Sequence, residues 1–163
     1  MNISPNDIVL KPTLQYWFIR NVFFILVTIV LIITSSTIRD YTPLRYGGAI
    51  VALFMTGIIC YRYIYMLLFT KWIVTDDQIY IIEGVIVKTT DYIELYRVTD
   101  YQEKQSIIER LFNITTLYIY SGDKSHGILR ISGVKQDPAL IGRIRSRVEV
   151  QKKMKSIYEF TNR

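Results

Sequence analysis

Residues 106–119, SIIERLFNITTLYI, decide how this chain is read, because helical and extended periodicities meet inside one short stretch. Ser106 stands where an N-cap belongs and Glu109 follows three positions later, the pair that closes a capping box. Ile107, Ile108 and Leu111 recur at helical spacing. Asn113 is a residue type that tolerates the left-handed position just past a helix end. Beyond it, ITTLYIY is β-branched and aromatic, as a strand would be. The stretch therefore predicts a helix of one to two turns set between strands.

On its N-terminal side WIVT, QIYIIE, VIVKTT and YIELYRVT each read as a strand, separated by Asp76-Asp77, by Glu83-Gly84 and by Asp91. Short strands with tight turns predict an antiparallel meander. ITTLYIY and GILRISGV form a further pair joined by SGDKSH. Asp137-Pro138 then reads as an N-cap followed by proline at the first helical position. Leu140, Ile141, Ile144, Val148, Ile157 and Tyr158 repeat at roughly helical spacing, so a long amphipathic helix over about 137–160 is expected to cap the sheet. Arg143, Arg145, Arg147, Lys152, Lys153 and Lys155 occupy its remaining surface, where a solvated face and a lipid or partner contact are both open readings.

The first 70 residues are of another kind. Residues 21–38, NVFFILVTIVLIITSSTI, carry no charge, and at ~1.5 Å per residue they make a helix of about 27 Å, close to a bilayer core. A cleaved signal peptide is the rival reading, but the run exceeds an h-region, starts late and precedes a second apolar segment, LRYGGAIVALFMTGIICY, at 44–61. The two segments are expected to form an antiparallel transmembrane hairpin, about 16–38 and 44–66, after an N-terminal segment 1–15. Tyr16, Trp17, Tyr41, Tyr61, Tyr63 and Tyr65 are placed as an interfacial aromatic belt, with Arg62 at the membrane edge. Gly47, Gly48 and Gly57 are small enough to allow close helix approach. Lys11, Arg20, Arg62 and Lys71 flank the outer ends of the hairpin, against Arg39 and Arg45 in its loop, which favours both termini on the cytoplasmic side.

A search for chemistry returns nothing that fits. With one cysteine, Cys60, there is no internal disulfide and no cysteine-based metal site, and the sole histidine, His126, has no second to work with. No nucleophile elbow or phosphate-binding glycine loop occurs. Asp76 and Asp77 read as turn formers. No catalytic residue, metal site or cofactor is expected. The formal net charge of +6 suits lipid or nucleic-acid phosphates, but a membrane hairpin argues against nucleic acid.

The order of these features is similar to a known family. Trp72 and Thr75 opening the first strand, Gly84 after the second, Arg97 in LYRVTD, Gln105-Ser106 before IIERLF, and ISGVKQDP before the last helix resemble the second class of bacterial pleckstrin-homology-like domains, over about residues 14–150. These occur in small membrane proteins with two N-terminal spanning helices. Asn113 replaces the usual glycine after the short helix and keeps the left-handed turn.

The resemblance implies an α+β membrane protein: a transmembrane helical hairpin, then at 71–163 a PH-like antiparallel split β-barrel with a short internal helix and a C-terminal capping helix. The internal helix is expected to fill an open end of that barrel. The resemblance also implies a non-enzymatic scaffold or assembly module in the cell inner membrane, multi-pass, with both termini cytoplasmic. Its partners would be itself, as a homo-oligomer, or another membrane protein; lipid-headgroup sensing is the alternative. Arg97, Gln105 and Arg110 are the candidates for a protein interface. Glu94, Asp100 or Glu103 is the expected ion-pair partner of Arg97. Arg62, Lys71, Trp72, Arg143 and Arg147 are the candidates for contact with membrane lipids.

Overall fold

A computed structural model describes residues 4–38, 42–123 and 127–155. Strand β1 (Ile8–Leu10) precedes two long helices, α1 (Leu14–Thr37) and α2 (Thr42–Tyr63), and α2 runs on into a π-helical turn, Ile64–Leu68. Both helices are long and apolar enough to cross a membrane.

Their burial is inverted relative to a water-soluble helix pair. The buried positions of α1 are Tyr16, Asn21, Thr28 and Ser35, and the buried position of α2 is Ala52. Phe23, Ile33, Leu53 and Phe54 point outward. Asn21, Thr28 and Ser35 lie seven residues apart, on one side of α1. Each donates to a carbonyl: Asn21 Nδ2 to Trp17 O (2.7 Å), Thr28 Oγ1 to Phe24 O (2.8 Å) and Ser35 Oγ across to Arg45 O of α2 (2.7 Å). Gly48 faces that seryl group, with only 3.3 Å between the place of a Cβ and Ser35 Cβ. Small and polar groups at the contact, large apolar ones outside, are what helix pairing in an apolar surrounding requires. Of the three expected spacer glycines, Gly47 and Gly57 meet nothing within 4 Å.

The remaining chain forms two antiparallel sheets. The first has the order β1-β2-β3-β4, with β2 Lys71–Val74, β3 Gln78–Glu83 and β4 Thr89–Glu94. The second is β5-β6-β7, with β5 Val98–Lys104, β6 Ile114–Ser121 and β7 Ile128–Lys135. Helix α3 (Ile107–Leu111) joins β5 to β6, and α4 (Leu140–Met154) follows β7. The sheets share one core, in which Val74, Ile79, Ile93, Leu117, Ile119 and Ile131 meet Leu140, Ile144 and Val148 of α4. They do not close into a barrel.

Several strand expectations need correction. VIVKTT is a turn over Gly84–Lys88 and only Thr89 and Thr90 enter β4, because Gly84 turns the chain at φ 113° and Thr89 Oγ1 bonds back to Glu83 O (3.2 Å). YIELYRVT is broken by a 3₁₀ turn at Leu95–Arg97. There Leu95 N–H donates to Asp77 O and Arg97 O accepts from Gly122, both at 2.9 Å, so the corner ties the two sheets together. The strand resumes through VTDYQEK. Residues of the N-terminal segment form an edge strand on β2, with Ile8 opposite Val74.

At the last helix, Asp137 accepts from Ala139 N–H (2.9 Å), but two turn residues intervene and α4 itself starts at Leu140. Ile157 and Tyr158 lie outside the described residues, as do Arg39, Tyr41 and His126.

Candidate functional site

Three features place the β domain on the hairpin. Thr13 caps α1, its Oγ1 accepting from Tyr16 N–H, while its own N–H and hydroxyl donate to Gly133 O at 2.8 and 3.0 Å. Tyr16 covers Gly133, whose φ is +68°. A Cβ there would lie 2.0 Å from the tyrosine ring, so only glycine fits. Tyr16 is thus a docking side chain, 7% exposed, and not part of an interfacial belt. At the other root of the hairpin, Tyr65 OH donates to Glu83 (3.2 Å). Trp17 meets Tyr63 edge-on at 5.4 Å, and Arg62 lies 5.8 Å over Phe24.

The short helix α3 is built as its sequence suggests. Ser106 Oγ accepts from Glu109 N–H, Glu109 accepts from Ser106 N–H (2.8 Å), and Asn113 adopts φ 52°. Its packing is not as expected. Ile107 and Leu111 are 83% and 77% exposed, Ile108 and Phe112 about half exposed, so the helix does not fill an end of the β structure. The reason is that polar contacts hold it. Gln105 Nε2 donates to Ile114 O (2.7 Å) and to Gln136 Oε1 (3.3 Å), and Gln136 N–H donates to Asn113 O (2.8 Å). With its base stitched to β6 and to the end of β7, the helix leaves its apolar side chains outside as a stiff knob.

Arg97, Gln105 and Arg110 do not form one site. Gln105 is the structural stitch just described and Arg110 is exposed on α3. Arg97 lies at the opposite end of β5, roughly 20 Å away at ~3.3 Å per residue. Its ion-pair partner is Asp123, at 3.2 Å, and not Glu94, Asp100 or Glu103. The guanidinium also leans on Tyr96, donating to its hydroxyl (3.2 Å). That hydroxyl first, and then Asp123, push the Arg97 pKa further up, so it stays cationic throughout.

Of the candidates for lipid contact, Arg62 and Trp72 line one cleft at the root of the hairpin, and Lys71, Arg143 and Arg147 lie outside it. Trp72 is 4% exposed, within the core. Lys71 is half-buried in β2, and Arg143 pairs with Asp137. Arg147 turns inward: it donates to Val74 O (2.7 Å) and to the carbonyl of Asn6, with Asp76 3.7 Å away, so it ties the N-terminal strand segment to β2. Arg147→Gln is expected to lower stability by about 1–3 kcal/mol, the range for a buried carbonyl, here that of Val74, losing a charged donor. Arg143→Gln should stay within about 0.5 kcal/mol. Thermal unfolding of the two variants checks this, and equal small effects would return Arg147 to the surface.

The family model for bacterial PH domains matches residues 13–148. The chain belongs to the bacterial PH domain family. The matched stretch begins at Thr13, which grips Gly133, and ends at Val148, the last buried residue of α4, so this PH-domain protein is matched across hairpin and sheets together. No curated protein and no solved structure matches.

Arg20, Asn21 and Arg130 line the same cleft as Arg62 and Trp72; the sequence reading used Arg20 only for membrane orientation and passed over Asn21 and Arg130. Asn21 opens an otherwise apolar run, and Arg130 alternates with buried Leu129 and Ile131, so its outward position was readable from GILRISGV.

Proposed function

We propose that this PH-domain protein is a non-enzymatic, membrane-anchored assembly module, with its hairpin across the cytoplasmic membrane, both termini cytoplasmic, and its β domain held against another protein in that membrane. The single observation that carries the reading is the exposed, capped α3. Four large apolar side chains on a five-residue helix and its C-cap face outward, and among the described residues nothing covers Ile107 or Leu111. A well-buried aliphatic side chain contributes about 1.5–3 kcal/mol, so covering Ile107 and Leu111 alone supplies on the order of 4 kcal/mol. Both partners being confined to one membrane lowers the cost of meeting.

The location fits. Lys104, Ile114 and Lys135 mark the α3 end of the second sheet, and Gly133, which docks the root of α1, lies two residues from it. A partner embedded beside the hairpin would meet α3 without the domain having to reorient.

Lipid contact has one observation of its own. The β3–β4 turn exposes Ile86 (92%) and Val87 (73%), and it follows Glu83, which is bonded to Tyr65 at the root of α2. Apolar side chains on that rim favour a domain seated on the bilayer surface. This orients the assembly face and does not replace it.

The test is to substitute Ile107→Ser and Leu111→Ser together and measure the mass of the complexes by light scattering after extraction in mild detergent. The expected result is loss of the larger species with thermal stability unchanged, since neither side chain packs in the core. Unaltered complexes would remove α3 from the interface.

A further inference from the structure

A cleft of about 390 Å³ lies between the root of the hairpin and the outer face of β7. Three arginines from three elements line it: Arg20 of α1, Arg62 of α2 and Arg130 of β7. Among the described residues that line it Glu83 is the one carboxylate, and it is engaged by the Tyr65 hydroxyl. The cleft is therefore cationic.

Its walls also hold polar atoms that no group among the described residues satisfies. The indole N–H of Trp17, the indole N–H of Trp72 and the side-chain oxygen of Asn21 are buried without a hydrogen bond, and all three residues line the cleft. Trp72 is 4% exposed and Asn21 1%. The Asn21 amide nitrogen is committed to Trp17 O, which leaves the oxygen as the unpaired end. Buried groups of this kind are costly to leave unmade, and three around one space point to a ligand. The donors call for an oxygen-rich anion. The Asn21 oxygen calls for a hydroxyl beside it.

Depth narrows the choice. Arg20 immediately precedes the uncharged run 21–38, so with the hairpin in a bilayer the cleft opens at the level of the headgroups. Tyr16, Tyr61 and Met66 supply an apolar wall for a glycerol backbone. We propose that the cleft binds a phosphate group presented by an anionic phospholipid, the phosphate held by Arg20, Arg62 and Arg130 and a headgroup hydroxyl directed at Asn21. The site rests on the hairpin being in the membrane and is independent of what covers α3.

Both tryptophans of the chain line the cleft, so intrinsic emission reports its occupancy. The full-length protein in dodecylmaltoside micelles is titrated with phosphatidylglycerol, with phosphatidylcholine of the same acyl chains, and with inorganic phosphate. A saturable change is expected with phosphatidylglycerol, at least about tenfold weaker with phosphatidylcholine and absent with phosphate. Arg130→Gln and, separately, Arg20→Gln should weaken it about tenfold, the loss expected for one charge-assisted hydrogen bond. Arg145→Gln, exposed on α4, should leave it unchanged. Equal responses to the two lipids, or an equal loss in Arg145→Gln, would overturn the site. A response to inorganic phosphate at the same concentration would assign it to the free anion and exclude the lipid. Carbonate extraction of membranes, run in parallel, separates failure of the site from failure of the anchor.

Discussion

Gly133→Val is expected to destabilise the full-length protein by about 3–5 kcal/mol and to free the β domain from the hairpin. Two costs combine. The backbone at φ +68° strains any residue with a Cβ by about 1 kcal/mol, and the new side chain would collide with the Tyr16 ring, whose nearest atoms lie 2.0, 2.3 and 2.5 Å from the Cβ position. The ring cannot simply turn aside, because Thr13 fixes the start of α1 on Gly133 O. Chemical unfolding in detergent reads the loss. Protease cleavage between Leu10 and Leu14 reads the undocking. The contact can be isolated by combination: in a Tyr16→Ala background the valine should cost only the backbone strain, recovering about 2 kcal/mol of coupling. A Gly133→Val chain as stable as its parent would mean that the Tyr16–Gly133 contact does not hold the domain on the hairpin.

Ile144→Ala should cost about 3 kcal/mol, within the range for a large aliphatic residue cut back in a packed core. Ile144 is 1% exposed and stands between Leu140 and Val148 on the face of α4 that closes the shared core of both sheets. Its neighbour Arg145 pairs with Glu149 in water, so Arg145→Ala is expected to stay within about 0.5 kcal/mol. Thermal unfolding of the two variants separates a helix that completes the core from one that merely covers it. Similar losses at both positions would contradict the placement of α4.

The sequence was most informative where a signal is local. The capping box at Ser106 and Glu109, the left-handed Asn113 and the Leu140, Ile144, Val148 stripe all stand as their spacing implied, because each is settled within one or two turns of chain. Strand β1 was missed because three residues carry no period, and it exists only by pairing with β2 more than sixty positions away. Tyr16 was read as an interfacial ring because nothing near it announces Gly133, which becomes its partner through folding alone. Arg97 was matched to nearby acids, whereas the corner at Leu95–Arg97 delivers it to Asp123. Helix α3 shows the opposite limit. Its boundaries were legible, but which way its apolar side faced depended on the Gln105 and Gln136 stitch. The spacing of Asn21, Thr28 and Ser35 was available all along, as polar groups seven apart within an apolar run, and it marks the face that α1 turns to its partner.

The most direct test of the central claim places a photo-activated cross-linking residue at Leu111 of the full-length protein, at near-native abundance in the cell membrane, with Arg145 as the control position. Every trapped species is identified by mass spectrometry. Protein adducts are expected at Leu111 and none at Arg145: a ladder of the chain with itself if it builds a homo-oligomer, or one recurrent membrane protein if it is an accessory subunit. Lipid adducts alone at Leu111 would contradict this, for α3 would then lie in the bilayer surface with no partner protein.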